Sequence, residues 1–158
     1  MDKKKIVIDL DVVTVGLWEK NDERKPSATK FMDRVKESEF FVVTLSSTLN
    51  LIEKWDHANL SKSITEFYAL QTARFVDDLE IAAWLDDKNI ASDTIIDELL
   101  KKHIKREDIL LILACVITES GYLITFNKKH LKNNVEAINA VLQKHKLPKI
   151  QVVHPDEI

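Results

Sequence analysis

The residues best suited to chemistry in this chain are polar ones placed where apolar segments start or stop. Ile6-Val7-Ile8 runs into Asp9, with Asp11 two residues on, and Glu107-Asp108 opens the apolar segment Ile109 to Ile117. Far downstream, Tyr122-Leu123-Ile124-Thr125-Phe126 runs into Asn127. An ionised carboxylate at the buried end of a strand is costly unless a cation, a hydrogen-bond donor or water meets it. Asp9, Asp108 and Asn127 together would form a small acidic crevice of hard oxygen donors, the chemistry that Mg²⁺ or Mn²⁺ takes. Each residue also has a plainer reading. Asp9 can cap a helix, Asp108 can complement a helix dipole (worth ~0.3–1 kcal/mol), and Asn127 can form a turn. If strand geometry persisted beyond Asp9, Asp11 would point the same way as Asp9. If the chain turns there, Asp11 is a helix N-cap, the reading we favour.

Further candidates surround these. Asn50 and Glu53 lie one helical turn apart after the second apolar run, where either side chain could look into the crevice. Lys128-Lys129-His130 is a small basic cluster beside Asn127, placed where phosphates could be held. Thr125, Lys128 and Lys129 are therefore the candidate substrate contacts. The five histidines show no i,i+4 pairing with each other or with Cys115, so nothing points to zinc.

The elements that must position these residues alternate along the chain. Four short, continuously apolar runs read as strands covered on both faces: Lys5 to Leu10, Phe40 to Leu45, Tyr122 to Thr125, and Ile150 to Val153. The intervening stretches read as helices. One starts at Pro26-Ser27 and runs to about Glu37, and another carries Leu49, Ile52 and Trp55. The longest spans Ser61 to about Leu85, with Ser63 and Glu66 at capping-box spacing and Asp77-Asp78 inside it. A short helix capped by Ser92 or Asp93 follows, then a helix from Ile109 to Ile117 that should be the most buried, and a last one that stops before Pro148. The order implies an α/β fold with a central parallel sheet of four or five short strands, as a single domain over residues 1–158. Ligands of such sheets bind beyond the carboxyl ends of the strands, where neighbouring connections diverge.

Composition narrows the function classes. With 45% hydrophobic and 31% charged residues the chain has the balance of a water-soluble domain, and its 158 residues suffice for a full core. Only two glycines occur, which argues against a Gly-rich phosphate loop. No apolar run approaches the ~20 residues that span a bilayer, and Met1-Asp2-Lys3-Lys4-Lys5 leads straight into a strand without a secretory signal. The lone Cys115 reads as a buried thiol. A cytoplasmic location with no membrane partner is the expectation. The net charge of -3 supplies no global attraction for polyanions, so any such binding must be local.

Five pieces, in order, resemble the PIN-domain family of metal-dependent ribonucleases. They are Ile6-Val7-Ile8-Asp9-Leu10-Asp11-Val12, Val42-Val43-Thr44 to Trp55, Arg106-Glu107-Asp108-Ile109-Leu110 to Ala114, Gly121 to Leu131, and Val152-Val153-His154-Pro155-Asp156-Glu157-Ile158. The resemblance implies a PIN-like three-layer α/β/α fold and hydrolysis of RNA with Mg²⁺ or Mn²⁺. Its possible partners are an antitoxin protein, as in toxin–antitoxin pairs, and a second copy of the chain. It also implies acids after the first strand, on the helix after the second, opening the buried helix, and after the third strand. Asp9 and Asp108 match the first and third. Asn50 is the best match for the second, with Glu53 as fallback; Asn127 takes the place of the fourth, and Asp11 stands where the family commonly has Asn. The catalytic set is then Asp9, Asp108, Asn127 and Asn50, with the metal on Asp9 and Asp108. Two amides in place of acids imply weak metal binding, or the alternative of an inactive PIN-like protein that binds RNA, an antitoxin-type peptide or itself. Asp9-Leu10-Asp11-Val12-Val13 and Thr44 also resemble the first two motifs of haloacid-dehalogenase-like phosphatases. That family needs a further acidic pair after a later strand, which Thr125-Phe126-Asn127-Lys128-Lys129 does not supply.

Overall fold

The computed structural model describes residues 2–158. The chain builds a five-stranded sheet from β1 (Lys4–Ile8), β2 (Phe40–Leu45), β3 (Thr72–Val76), β4 (Tyr122–Ile124) and β5 (Gln151–Val153). All neighbours are parallel, in the order β3-β2-β1-β4-β5. Helices α1 (Leu10–Leu17), α2 (Lys25–Lys36), α3 (Ser46–Glu53) and α4 (Ala58–Gln71) come before β3. Helices α5 (Asp78–Asp87), α6 (Ser92–Leu100), α7 (Arg106–Ile117) and α8 (Val135–Lys144) follow it.

Two-residue alternation divides the sheet's apolar side chains between two cores. Ile6, Ile8, Val42 and Ile124 face one way, onto Val12, Phe31, Ile64 and Tyr68 of α1, α2 and α4. Val7, Val43 and Leu123 face the other, onto Leu85, Leu99, Ile112 and Leu142 of α5 to α8. The result is a three-layer α/β/α arrangement. The runs are continuously apolar because both faces are covered. As its all-round apolar sequence implies, α7 is the most enclosed helix, buried at every position from Asp108 to Ile117 except the half-buried Leu110.

The fifth strand corrects the expected long helix. The segment from 61 to 85 is α4, then β3, then α5, and Asp77 is the N-cap of α5 rather than a mid-helix residue. In β3 only Val76 is buried, because an edge strand has a partner on one side alone; its Thr72, Ala73 and Arg74 carry no apolar signal. Phe75 and Val76 happen to continue the helical spacing of α4. The expected capping box also fails, since Ser63 lies inside α4 and the ring of His57 caps it by accepting the Leu60 N–H at 3.2 Å.

The chain moves outward from β1 through β2 to β3, then returns across the sheet to β4 on the other flank of β1. The connections diverge between β1 and β4, which is where a parallel sheet opens a crevice. No helix among the described residues is long and apolar enough to cross a membrane.

The burial of α7 gives a direct test. Ile112 is fully buried in the centre of that helix, so Ile112→Ala should lose about 2–5 kcal/mol in chemical denaturation. Leu79→Ala, at a side chain that is 82% exposed, should change stability by no more than about 0.5 kcal/mol.

Candidate functional site

Parallel pairing of β1 with β4 sets Ile8 beside Ile124. The Asp9 N–H then donates to the Ile124 carbonyl at 2.8 Å, continuing the ladder one residue past both strands. Asp9 is thereby held at the N-cap position of α1, opposite Thr125. The Thr125 hydroxyl donates to Asp9 Oδ2 at 2.8 Å and accepts the Asn127 N–H at 2.9 Å. The Asn127 amide group donates to Asp108 Oδ2 at 3.4 Å from the first turn of α7. An unbroken hydrogen-bonded path therefore runs from Asp9 through Thr125 and Asn127 to Asp108. Both aspartates line one crevice of about 150 Å³, whose opposite wall is Ser47, Thr48 and Leu51 of α3.

Burial dominates the electrostatics of these acids. Asp9 is raised above the ordinary carboxylate range by desolvation, against the Thr125 hydroxyl and the Leu10 and Asp11 N–H groups, which act the other way. Asp108 is pushed up to about 6 by burial and then by the charges of Asp9 and Glu107. The dipole of α7, at whose first turn Asp108 sits, favours the ionised form. It is worth ~0.3–1 kcal/mol, whereas each pKa unit corresponds to about 1.4 kcal/mol, so desolvation wins. Asp11 is pushed up to about 7 by burial and by Asp9. It is not the N-cap of α1; it sits in the first turn, and its Oδ2 accepts the Phe126 N–H at 3.3 Å. Its Oδ1 is the one buried side-chain oxygen or nitrogen without a partner among the described residues. Below them, the buried Tyr68 hydroxyl donates to the Ile8 carbonyl at 3.3 Å, and burial with the nearby Asp9 and Asp11 raises its pKa.

The other candidates divide. Asn50 and Glu53 are exposed on α3, outside the crevice, because α3 presents Ser47, Thr48 and Leu51 to it instead. Lys128 and Lys129 are exposed beside Asn127. Asn127 belongs to the site, but as a donor to Asp108: its Oδ1, the atom that would bind a cation, accepts the His130 N–H at 3.0 Å. Glu107 is exposed, as expected, at the crevice edge. Thr44 is buried and shares a 2.6 Å hydrogen bond with Thr72, and Asp77, though it follows a strand, caps α5 through the Glu80 N–H at 2.7 Å. Neither lines the crevice with Asp9. Cys115 is a buried free thiol whose pKa burial raises. Sequence reasoning missed Ser47, Thr48, Arg24, Phe126 and His154, which carry no chemical signal until the fold brings them to the carboxyl ends of the strands.

Among the described residues, no three His, Cys, Asp or Glu side chains converge on a point where they could jointly hold a metal. The charged hard-oxygen donors that line the crevice are the two carboxylates of Asp9 and Asp108, with Glu107 at its edge. Asp9 and Asp108 share a crevice, the charge of Asp9 adds to the cost of ionising Asp108, and Asp11 keeps a buried oxygen without a partner. Mg²⁺ commonly uses only one or two carboxylates, with water and substrate phosphates completing its shell.

Fold and site together define a parallel three-layer α/β domain with a half-buried acidic crevice at its topological switch point. The chain matches no family model, no curated protein and no solved structure.

The raised acids make stability pH-dependent. Asp11 and Asp108 bind protons more tightly folded than unfolded, so between their ordinary value of 3.8 and about 6 to 7 the folded form carries more protons. Stability from these groups therefore falls as pH rises through that window. Without divalent metal, Asp11→Asn should melt close to wild type near pH 4 and several degrees higher near pH 7.5. A variant that is less stable than wild type at pH 7.5 would contradict the assignment.

Proposed function

We propose that this chain is a PIN-type, metal-dependent ribonuclease that hydrolyses RNA phosphodiester bonds with Mg²⁺ or Mn²⁺ at Asp9 and Asp108. The observation that supports it is the hydrogen-bonded path joining those two aspartates across residues far apart in sequence. Thr125 holds Asp9 in place, and Asn127 holds Asp108. Lys128 and Lys129, exposed beside Asn127, are available to the phosphates of a strand. A cation bound there would lower the pKa of a water and offset charge on the scissile phosphate.

A second reading has its own support. The Asn127 oxygen is taken by the His130 N–H, and no three acids converge. Both observations favour a non-catalytic protein of this fold that binds RNA, an antitoxin-type peptide or a second copy. The phosphatase reading has no such support, because no acidic pair joins Asp9 and Asp11 from a later strand.

Cleavage of RNA in Mn²⁺ by wild type, Asp9→Asn and Asp108→Asn separates the two. Each substitution should lower the rate by more than the 10- to 100-fold typical of groups outside the metal's own ligands. Equal rates in all three would assign the activity to a contaminant and leave binding as the function. Asn127→Asp should keep the His130 contact, replace the donor facing Asp108 with a charge, and enlarge the Mn²⁺-induced rise in melting temperature. No Mn²⁺ response in either wild type or Asn127→Asp would remove the metal from the mechanism.

A further inference from the structure

A second pocket, of about 360 Å³, opens on the other side of the segment that carries Thr125, bounded by Arg24, Phe126, Lys128, Lys132 and His154. Its floor is aromatic. The half-buried Phe126 ring meets the His154 ring edge-on at 5.1 Å, and the Arg24 guanidinium carbon lies 5.1 Å from the Phe126 centroid. Its rim is cationic: Arg24, Lys128 and Lys132 stand against the single acid Glu157. Lys132 pairs with Glu157, and Arg24 pairs with Asp22 at 2.7 Å. Lys128 is exposed and has no ion pair among the described residues. The pocket is joined to the acidic crevice through the chain itself. Thr125 lines it and also donates to Asp9, while the Phe126 N–H donates to Asp11.

We infer that this pocket is a nucleotide subsite, taking one phosphorylated nucleoside with its ring against Phe126 and its phosphate toward Lys128. The parts divide the ligand's chemistry. The exposed Arg24 guanidinium over Phe126 and the half-buried His154 imidazole beside it give a base planar groups to stack on, a contact that tolerates any base. A free ammonium at the rim meets a phosphate. An inorganic phosphate alone would leave the aromatic floor unused, and the volume lies at the small end of the range for small-molecule sites. The inference deepens the ribonuclease reading and rests on it for the choice of RNA as the source of the unit, but needs neither the metal nor Asp9.

Binding measured in EDTA tests it apart from cleavage. A 5′-fluorescein-labelled riboadenylate octamer is titrated with the full chain by fluorescence anisotropy, with AMP and inorganic phosphate as competitors. Expected is saturable binding that Phe126→Leu, which keeps apolar bulk, weakens about tenfold. Lys128→Glu, at an exposed position that leaves folding intact, should weaken it and flatten its salt dependence. AMP competing better than phosphate would show that the unit is recognised as a free nucleotide as well. AMP failing to compete while both variants still weaken the octamer would assign the site to a strand alone. Binding unchanged in Lys128→Glu, phosphate competing as well as AMP, or no octamer binding would overturn the inference. Nucleotide binding without Mn²⁺-dependent cleavage would sink the ribonuclease reading and leave the subsite; cleavage with Lys128→Glu binding as wild type would do the reverse.

Discussion

The parallel pairing of β1 with β4 is the constraint on which the rest of the site depends. It sets Ile8 against Ile124, and the Asp9 N–H carries the ladder one bond further to the Ile124 carbonyl. Because side chains alternate along a strand, a slip of one residue would turn Asp9 from the crevice to the other face and strand Thr125 without its acceptor. The register is in turn held by burial. Ile6, Ile8 and Ile124 must meet the α1, α2 and α4 side, while Val7 and Leu123 must meet the α7 side.

That packing supports a local arrangement which is unfavourable by itself. Three aspartates stand at the carboxyl ends of the strands with their ionised forms disfavoured by burial. The Thr125 hydroxyl, the first N–H groups of α1 and the Phe126 N–H offset part of the cost, yet one Asp11 oxygen remains without a partner. Two large apolar cores, one on each face of the sheet, can carry such a deficit. Sites where local chemistry runs against folding are where function is commonly found.

The tripeptide Thr125-Phe126-Asn127 connects the two openings of the molecule. Past β4 the chain bends at Phe126, so that the Thr125 and Asn127 side chains meet the two aspartates while the Phe126 ring lies against Arg24 and His154. Thr125 touches both openings: it lines the aromatic, cationic pocket, and its hydroxyl holds Asp9 of the acidic crevice.

By itself the sequence determined the α/β class, four of the five strands, the nearly all-round burial of α7 and the placement of Asp9 and Asp108 at the ends of apolar segments, because continuous apolar runs and acids at their ends are local signals. Four features were decided only by tertiary structure. The edge strand β3 has one covered side and so lacks an apolar run, and its Phe75 and Val76 extend the spacing of α4. Asn50 and Glu53 depend on the rotation of α3, which packing against its neighbours sets, and it turns Ser47 and Thr48 to the crevice instead. The orientation of Asn127 follows from the His130 N–H, and the raised pKa of Asp11 and Asp108 from desolvation. Both are properties of the space around a side chain, and a linear pattern does not contain that space.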